Sequence, residues 1–196
     1  MSSRSTFPSA DPAVARVSNL LGAWALAVSD RIGAAGAAAG GRSGQAPAAL
    51  VALHQFAGGS TIEDLRQVLG LSHSAAVRLI DGLVADGHVA RERGAEDRRS
   101  VALSLTASGR AAARRIIAAR QRAIEATLEH LSEAELRSLT RLAERLAGEM
   151  ADLRLNERDR GATPAGGWLC RLCDFRACGR SEGRCPAAVS AARHKP

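Results

Sequence analysis

The chain has 196 residues, 46% of them hydrophobic and 24% charged, which suits one compact domain with an appendage and excludes wholesale disorder. With three Phe, two Trp and no Tyr, the core must be built of Ala, Leu, Val and Ile, a composition that favours helices over sheets. The formal charge of +7 rests almost wholly on arginine, since Lys195 is the only lysine; such a charge suits phosphate, although arginine can also simply solvate a surface.

No apolar run approaches the ~18 residues needed to span a bilayer, because the longest candidate, 20–39, is broken by Asp30 and Arg31. The N-terminal residues lack the apolar core of an export signal. A cytoplasmic location without membrane association is therefore expected, and residues 1–11 are expected to be disordered.

In chain order, Val14, Val17, Leu21, Trp24, Val28 and Ile32 recur at steps of three and four, the stripe of an amphipathic helix. The Gly- and Ala-rich stretch 33–45 reads as a weak helix end followed by a loop, and Pro47 as the start of a second helix with Leu50, Leu53 and Phe56 on its core face. Thr61 caps a short helix carrying Leu65, Val68 and Leu69; Gly70 breaks it; Ser72 caps another with Val77, Ile80, Leu83 and Val84. Two short helices about a glycine turn make a helix-turn-helix.

Val89, Arg91 and Arg93, then Val101, Leu103 and Leu105, alternate with period two, and the polar stretch 94–100 between them is a hairpin tip. A helix-turn-helix followed at once by a basic hairpin predicts a winged helix. Beyond it, Thr106 opens a long helix with Ala113, Ile117, Ile124, Leu128 and Leu131. Ser132 and Glu135 then form a capping box before a stripe of Leu136, Leu139, Leu142, Leu146, Met150 and Leu153. These last two helices are expected to pair antiparallel. Their surplus apolar surface, with that of the first helix, is expected to close against a second copy rather than into an intramolecular bundle.

The fold class is therefore mainly α (α+β): disordered residues 1–11, a dimerisation helix and loop over 12–45, a winged helix-turn-helix over 46–106, dimerisation helices over 107–158, and a tail over 159–196.

From about 14 to 155 the chain resembles the MarR (multiple antibiotic resistance regulator) family of bacterial transcription factors. The strongest block is 71–110, LSHSAAVRLIDGLVADGHVARERGAEDRRSVALSLTASGR, with its recognition helix, the Asp-Gly-His-Val entry to the wing, the Asp-Arg-Arg at the tip, and the Leu-Thr-x-x-Gly-Arg start of the next helix. The resemblance implies an obligate homodimer of triangular shape, with two winged lobes and terminal helices that dimerise. It also implies release from DNA when a small molecule enters a crevice between lobe and dimer helices, which Trp24, His54 and Phe56 are placed to line unless core packing claims them.

The residues themselves point the same way. A helix starting Ser72-His73-Ser74 presents small polar groups and free amides to a major-groove wall. Ser74 and Arg78 are the candidates for bases, Ser72 and His73 for the backbone, and Arg91 and Arg93 for phosphates. At the tip, Arg98 and Arg99 suit a narrow minor groove, with Asp97 orienting Arg99, the use the family makes of this Asp-x-Arg pattern. Two lobes imply a pseudo-palindromic double-stranded operator with half-sites about one helical turn apart, and repression by occlusion.

Cys170, Cys173, Cys178 and Cys185 have the form C-x2-C-x4-C-x6-C-P and hold every cysteine of the chain. In a reducing compartment such a cluster suggests metal ligation, with structural zinc favoured and an iron–sulfur cluster as the alternative. A knuckle of this kind would brace the dimer or sense oxidants by losing its metal. No phosphate loop, nucleophile motif or paired catalytic acids stand out, so an enzyme is not expected. The competing reading is a metal- or redox-handling protein that uses its winged helix only to dimerise.

Overall fold

The computed structural model describes residues 11–93, 101–161 and 166–194. Its elements are α1 (Pro12–Gly40), α2 (Ala46–Gln55), α3 (Ile62–Leu69), α4 (His73–Ala85), β1 (Val89–Arg93), β2 (Val101–Leu105), α5 (Ala107–Glu125), α6 (Glu133–Asp159), a 3-10 turn (Leu169–Leu172) and α7 (Pro186–Arg193). It is a mainly helical winged-helix fold with one two-stranded antiparallel sheet. No single helix among the described residues is long and apolar enough to cross a membrane.

The core forms around α2. Residues 46–53 of that helix are all buried, as expected of a helix that is apolar on every side. Leu65, Val68 and Leu69 of α3, Ile80 and Leu83 of α4, Val89, Leu103, and Ala112, Ala113 and Ile116 of α5 close over it. The loop from α2 to α3 is tied to β2 by two backbone bonds: Gly59 N–H donates to Leu103 O and Leu103 N–H to Ser60 O, both at 2.9 Å.

The first helix departs from the sequence reading. It runs unbroken to Gly40, through the Ala-Gly stretch read as its end and a loop, and its buried residues are Gly36 and Gly40. These glycines let α1 approach closely: a Cβ on Gly40 would lie 2.9 Å from Ile116 Cδ1, and one on Gly36 3.2 Å from Pro47 Cβ. Val14, Val17, Leu21 and Trp24, part of the stripe expected to close against a second copy, are exposed.

The expected antiparallel pairing of the last two long helices is also absent. α5 lies along α1, whereas α6 packs against α7 and leaves residues 133–147 wholly exposed. The turn of residues 126–132 carries the chain away from α5, so the apolar side of α6 has no partner within the described chain.

Candidate nucleic-acid interface

Local capping builds the helix pair. Thr61 Oγ1 accepts from Asp64 N–H, and the Asp64 carboxylate accepts in turn from Thr61 N–H at 3.0 Å, which satisfies two orphan donors at the start of α3. Gly70 ends the helix in the left-handed region, at φ +67. The chain turns through 108° between α3 and α4, within the usual range for this motif.

Ser72 then caps α4, its Oγ accepting from Ala75 N–H at 3.3 Å and standing 3.4 Å from Ser74 Oγ. Ser72, His73, Ser74 and Arg78 are all exposed on this helix. His73 Nδ1 lies 3.6 Å from Glu63, whose carboxyl is held down at about 2, chiefly by hydrogen bonds from the Arg66 guanidinium. The N-terminal turn of α4 thus presents two hydroxyls, an imidazole and free amides outward, while Ala76, Ile80 and Leu83 hold its other side in the core.

Two clasps that sequence reading missed fix the far end of α4. Arg42, just past α1, makes a paired bond to Asp86, with Nη2 donating to Oδ1 at 3.0 Å; the contact holds the Asp86 carboxyl below its ordinary range. Thr106 Oγ1 donates to Gly87 O at 2.7 Å and accepts from Gly109 N–H at 3.0 Å, while His88 Nδ1 lies 3.0 Å from Ser108 Oγ. The Asp-Gly-His-Val and Leu-Thr-x-x-Gly-Arg pieces, separate in sequence, thus form one joint between α4, the hairpin and α5.

In the hairpin, Val89 pairs with Leu105, Arg91 with Leu103 and Arg93 with Val101. Arg91 is held by Asp81 of α4 at 2.6 Å. It serves a helix-to-strand contact as it stands, with its guanidinium partly exposed beside α4. Asp97, Arg98 and Arg99, the expected wing-tip contacts, lie outside the described residues.

The tail docks on this same lobe. Trp168 N–H donates to Val68 O at 2.7 Å, and Phe56 stacks between Trp168 and Phe175, at centroid distances of 5.9 and 5.5 Å. Phe56, proposed for a ligand crevice, is thus engaged by the tail, and Trp24 stands exposed on α1. Burial pushes the pKa of His54 below 6.5, with Arg114, Arg110 and Arg176 adding to the shift.

The four cysteines are free thiols. Cys170 and Cys173 share a hydrogen bond that draws Cys170 below the usual thiol range and, together with burial, raises Cys173. Cys178, whose thiol donates to Phe175 O at 3.7 Å, is raised mainly by burial. No three His, Cys, Asp or Glu side chains among the described residues converge as a preformed ion site. Helix α7, which sequence reading missed, was signalled by Pro186 at its first position after Cys185.

Residues 41–100 match the MarR family. The chain is 34% identical over 90 residues, 46% of its length, to YwhA, an uncharacterized HTH-type transcriptional regulator of Bacillus subtilis (strain 168), and that match takes in 65% of the relative. A MarR family protein from Bacillus stearothermophilus is similar in structure, with 27% identity and a TM-score of 0.62 over 70% of this chain and 95% of that one. The Mycobacterium tuberculosis MarR family protein RV2887 in complex with salicylic acid gives 27% identity and a TM-score of 0.52 over 65% and 93%. The matched stretch is the one in which a left-handed glycine sets α4 across α3 and the hairpin follows at once, so sequence and fold agree that residues 41–100 are similar to the winged helix of the MarR family.

Proposed function

We propose that the protein is a DNA-binding transcriptional regulator, and not an enzyme, that works as a homodimer on a pseudo-palindromic double-stranded operator. The observation that carries this reading is the exposed polar start of α4, with Ser72, His73, Ser74 and Arg78 directed outward by a capped turn. In this reading Ser74 and Arg78 reach base edges, Ser72 and His73 the backbone, Arg91 and Arg93 phosphates, and Asp97, Arg98 and Arg99 the adjacent minor groove.

The dimer is supported by the apolar stripes left exposed on α1 and α6. Repression follows by occlusion of the promoter, and a small molecule or an oxidant releases the DNA. The salicylic acid bound by the mycobacterial relative supports a small aromatic acid as one class of inducer. Such a protein acts where the DNA is, in the cytoplasm.

The test is an electrophoretic shift with the fragment upstream of the protein's own coding sequence, against random competitor at fixed salt. A shift at protein concentrations that leave the competitor free is expected, and Arg78→Ala should weaken it by about 1–3 kcal/mol. Removing a phosphate contact, as in Arg91→Ala, should lower the salt slope by about one unit. Equal affinity for target and competitor rejects the regulator and favours a metal- or redox-handling role.

A further inference from the structure

The tail is ordered without a core of its own. Over 166–185 its only regular element is one 3-10 turn of four residues, and its buried residues are Gly167, Gly179 and Cys185. Segments this short and irregular hold a fixed shape when something staples them. The tail's own chemistry offers one candidate, the four thiols.

The 3-10 turn brings the first two together, with Cys173 N–H donating to Cys170 O at 3.0 Å. Cys185 is anchored at the start of α7, where its carbonyl accepts from Ala188 and Val189 N–H, each at 3.0 Å. Arg184 N–H donates to Gly179 O at 2.8 Å, which folds Cys178 back toward Cys185, and Cys170 lines one cavity with Arg180 and Ala187, so the two pairs adjoin. Arg180 bears on Cys170, and Arg120 and Arg171 bear on Cys173. Four thiolates around a zinc ion leave a net charge of about −2, and guanidinium groups from α5 and the tail stand where they can balance it. A cavity of about 120 Å³ between α6, the 3-10 turn and α7 is lined by Arg154, Arg158, Trp168, Cys170 and Arg180.

The stapled segment lies on the turn between α3 and α4. Gly167 is packed so closely that a Cβ there would lie 2.3 Å from Val68 O, and a Cβ on Gly70 would lie 2.6 Å from the Gly166 carbonyl carbon. On the other side, Arg154 of α6 donates to Gly167 O, and the Arg158 guanidinium sits 5.6 Å from the Trp168 ring centre. One short segment therefore touches both the DNA-reading helix pair and the long helix α6.

We propose that Cys170, Cys173, Cys178 and Cys185 bind a thiolate-preferring metal centre, one zinc ion or a small iron–sulfur cluster, that clamps the tail onto the α3–α4 turn, so that losing it loosens the helix pair that reads DNA. Each thiol gives its proton to solvent as it binds. The two pairs adjoin without meeting at one point, so the centre forms by drawing them together. The metal site stands independently of the regulator reading; the effect on DNA rests on it.

The full chain, purified without oxygen, is assayed for zinc, iron and acid-labile sulfide. About one zinc per chain, or two to four irons with matching sulfide, is expected and tells the two centres apart. Cys178→Ser and Cys185→Ser should each lose most of it. Hydrogen exchange at Leu69, Leu71 and Trp168 should speed up at least tenfold when a chelator strips the metal. Trp168→Ala should keep the metal yet exchange like the stripped protein.

A chain that holds less than about a tenth of an equivalent, even after incubation with zinc under reductant, overturns the site. Metal removal that leaves the exchange unchanged overturns the clamp. Both readouts are made without DNA, so an operator that neither form binds sinks only the regulator reading.

Discussion

At Gly109 the first turn of α5 crosses the entry to β1 so tightly that a Cβ would lie 2.0 Å from His88 O. The neighbour is backbone, pinned by Thr106 on one side and by the strand pairing on the other, so it has little room to give. Gly109→Ala is therefore expected to destabilise the lobe by about 2 kcal/mol through overpacking. A urea melt reads this as a lowered midpoint with an unchanged slope, and an unaltered midpoint means the joint is looser than drawn.

His54 gives a second residue-scale outcome. Its folded pKa lies below 6.5 because burial and the nearby Arg114, Arg110 and Arg176 disfavour its charged form. Between that lowered value and about 6.5 the unfolded chain binds more protons than the folded one. Stability is therefore full above about pH 6.5 and falls as the pH drops through this window. Urea midpoints should decline over that range in the native chain and less steeply in His54→Gln; identical pH profiles remove His54 as the cause.

Elements defined by local chemistry were legible in the sequence. Thr61, Gly70 and Ser72 act on neighbours one to four residues away, so the helix pair and its turn follow from residue type alone, and the alternation of Val101, Leu103 and Leu105 marks a strand for the same reason. What could not be read was which side of an amphipathic helix the fold uses. The Val14–Ile32 stripe marks an apolar face to be covered, but within the lobe α1 packs through Gly36 and Gly40, whose value lies in having no side chain. Glycine in a helix reads as weakness until a close neighbour is known.

The pairing expected for α6 failed on similar grounds, because a Leu stripe shows that a face is to be covered and says nothing of what covers it. In the candidate interface, the exposed positions on α4 could be placed from the Ser72 cap. The Arg42–Asp86 clasp, 44 residues apart, and the docking of Trp168 and Phe175 around Phe56 could not, since each depends on tertiary approach between distant segments.

At the scale of the whole molecule, the unburied apolar surface is concentrated. Val14, Val17, Leu20, Leu21, Trp24 and Leu26 on α1, with Leu136, Leu139, Leu142, Leu146, Met150 and Leu153 on α6, account for twelve of the fifteen exposed large hydrophobics among the described residues. A 27-residue helix such as α6 with one bare Leu face is stabilised in water mainly by tertiary contact, and such contact begins only at Gly148. In the proposed dimer a second copy would supply it by placing the same two helices against these two, an isologous contact that would also set two α4 helices on one duplex.

Leu142→Arg combined with Leu146→Arg puts two charges into that contact. Light scattering should then give the mass of one chain, and the unfolding midpoint should lose the protein-concentration dependence of a dimer. Because each lobe then engages its half-site alone, operator affinity should fall by roughly 10²-fold or more even though α4 is untouched. Arg78→Ala should do the reverse, keeping the mass of two chains while weakening DNA. A native chain that runs as one subunit at micromolar concentration, or a double variant that remains paired, would show that α1 and α6 are covered by something other than a second copy.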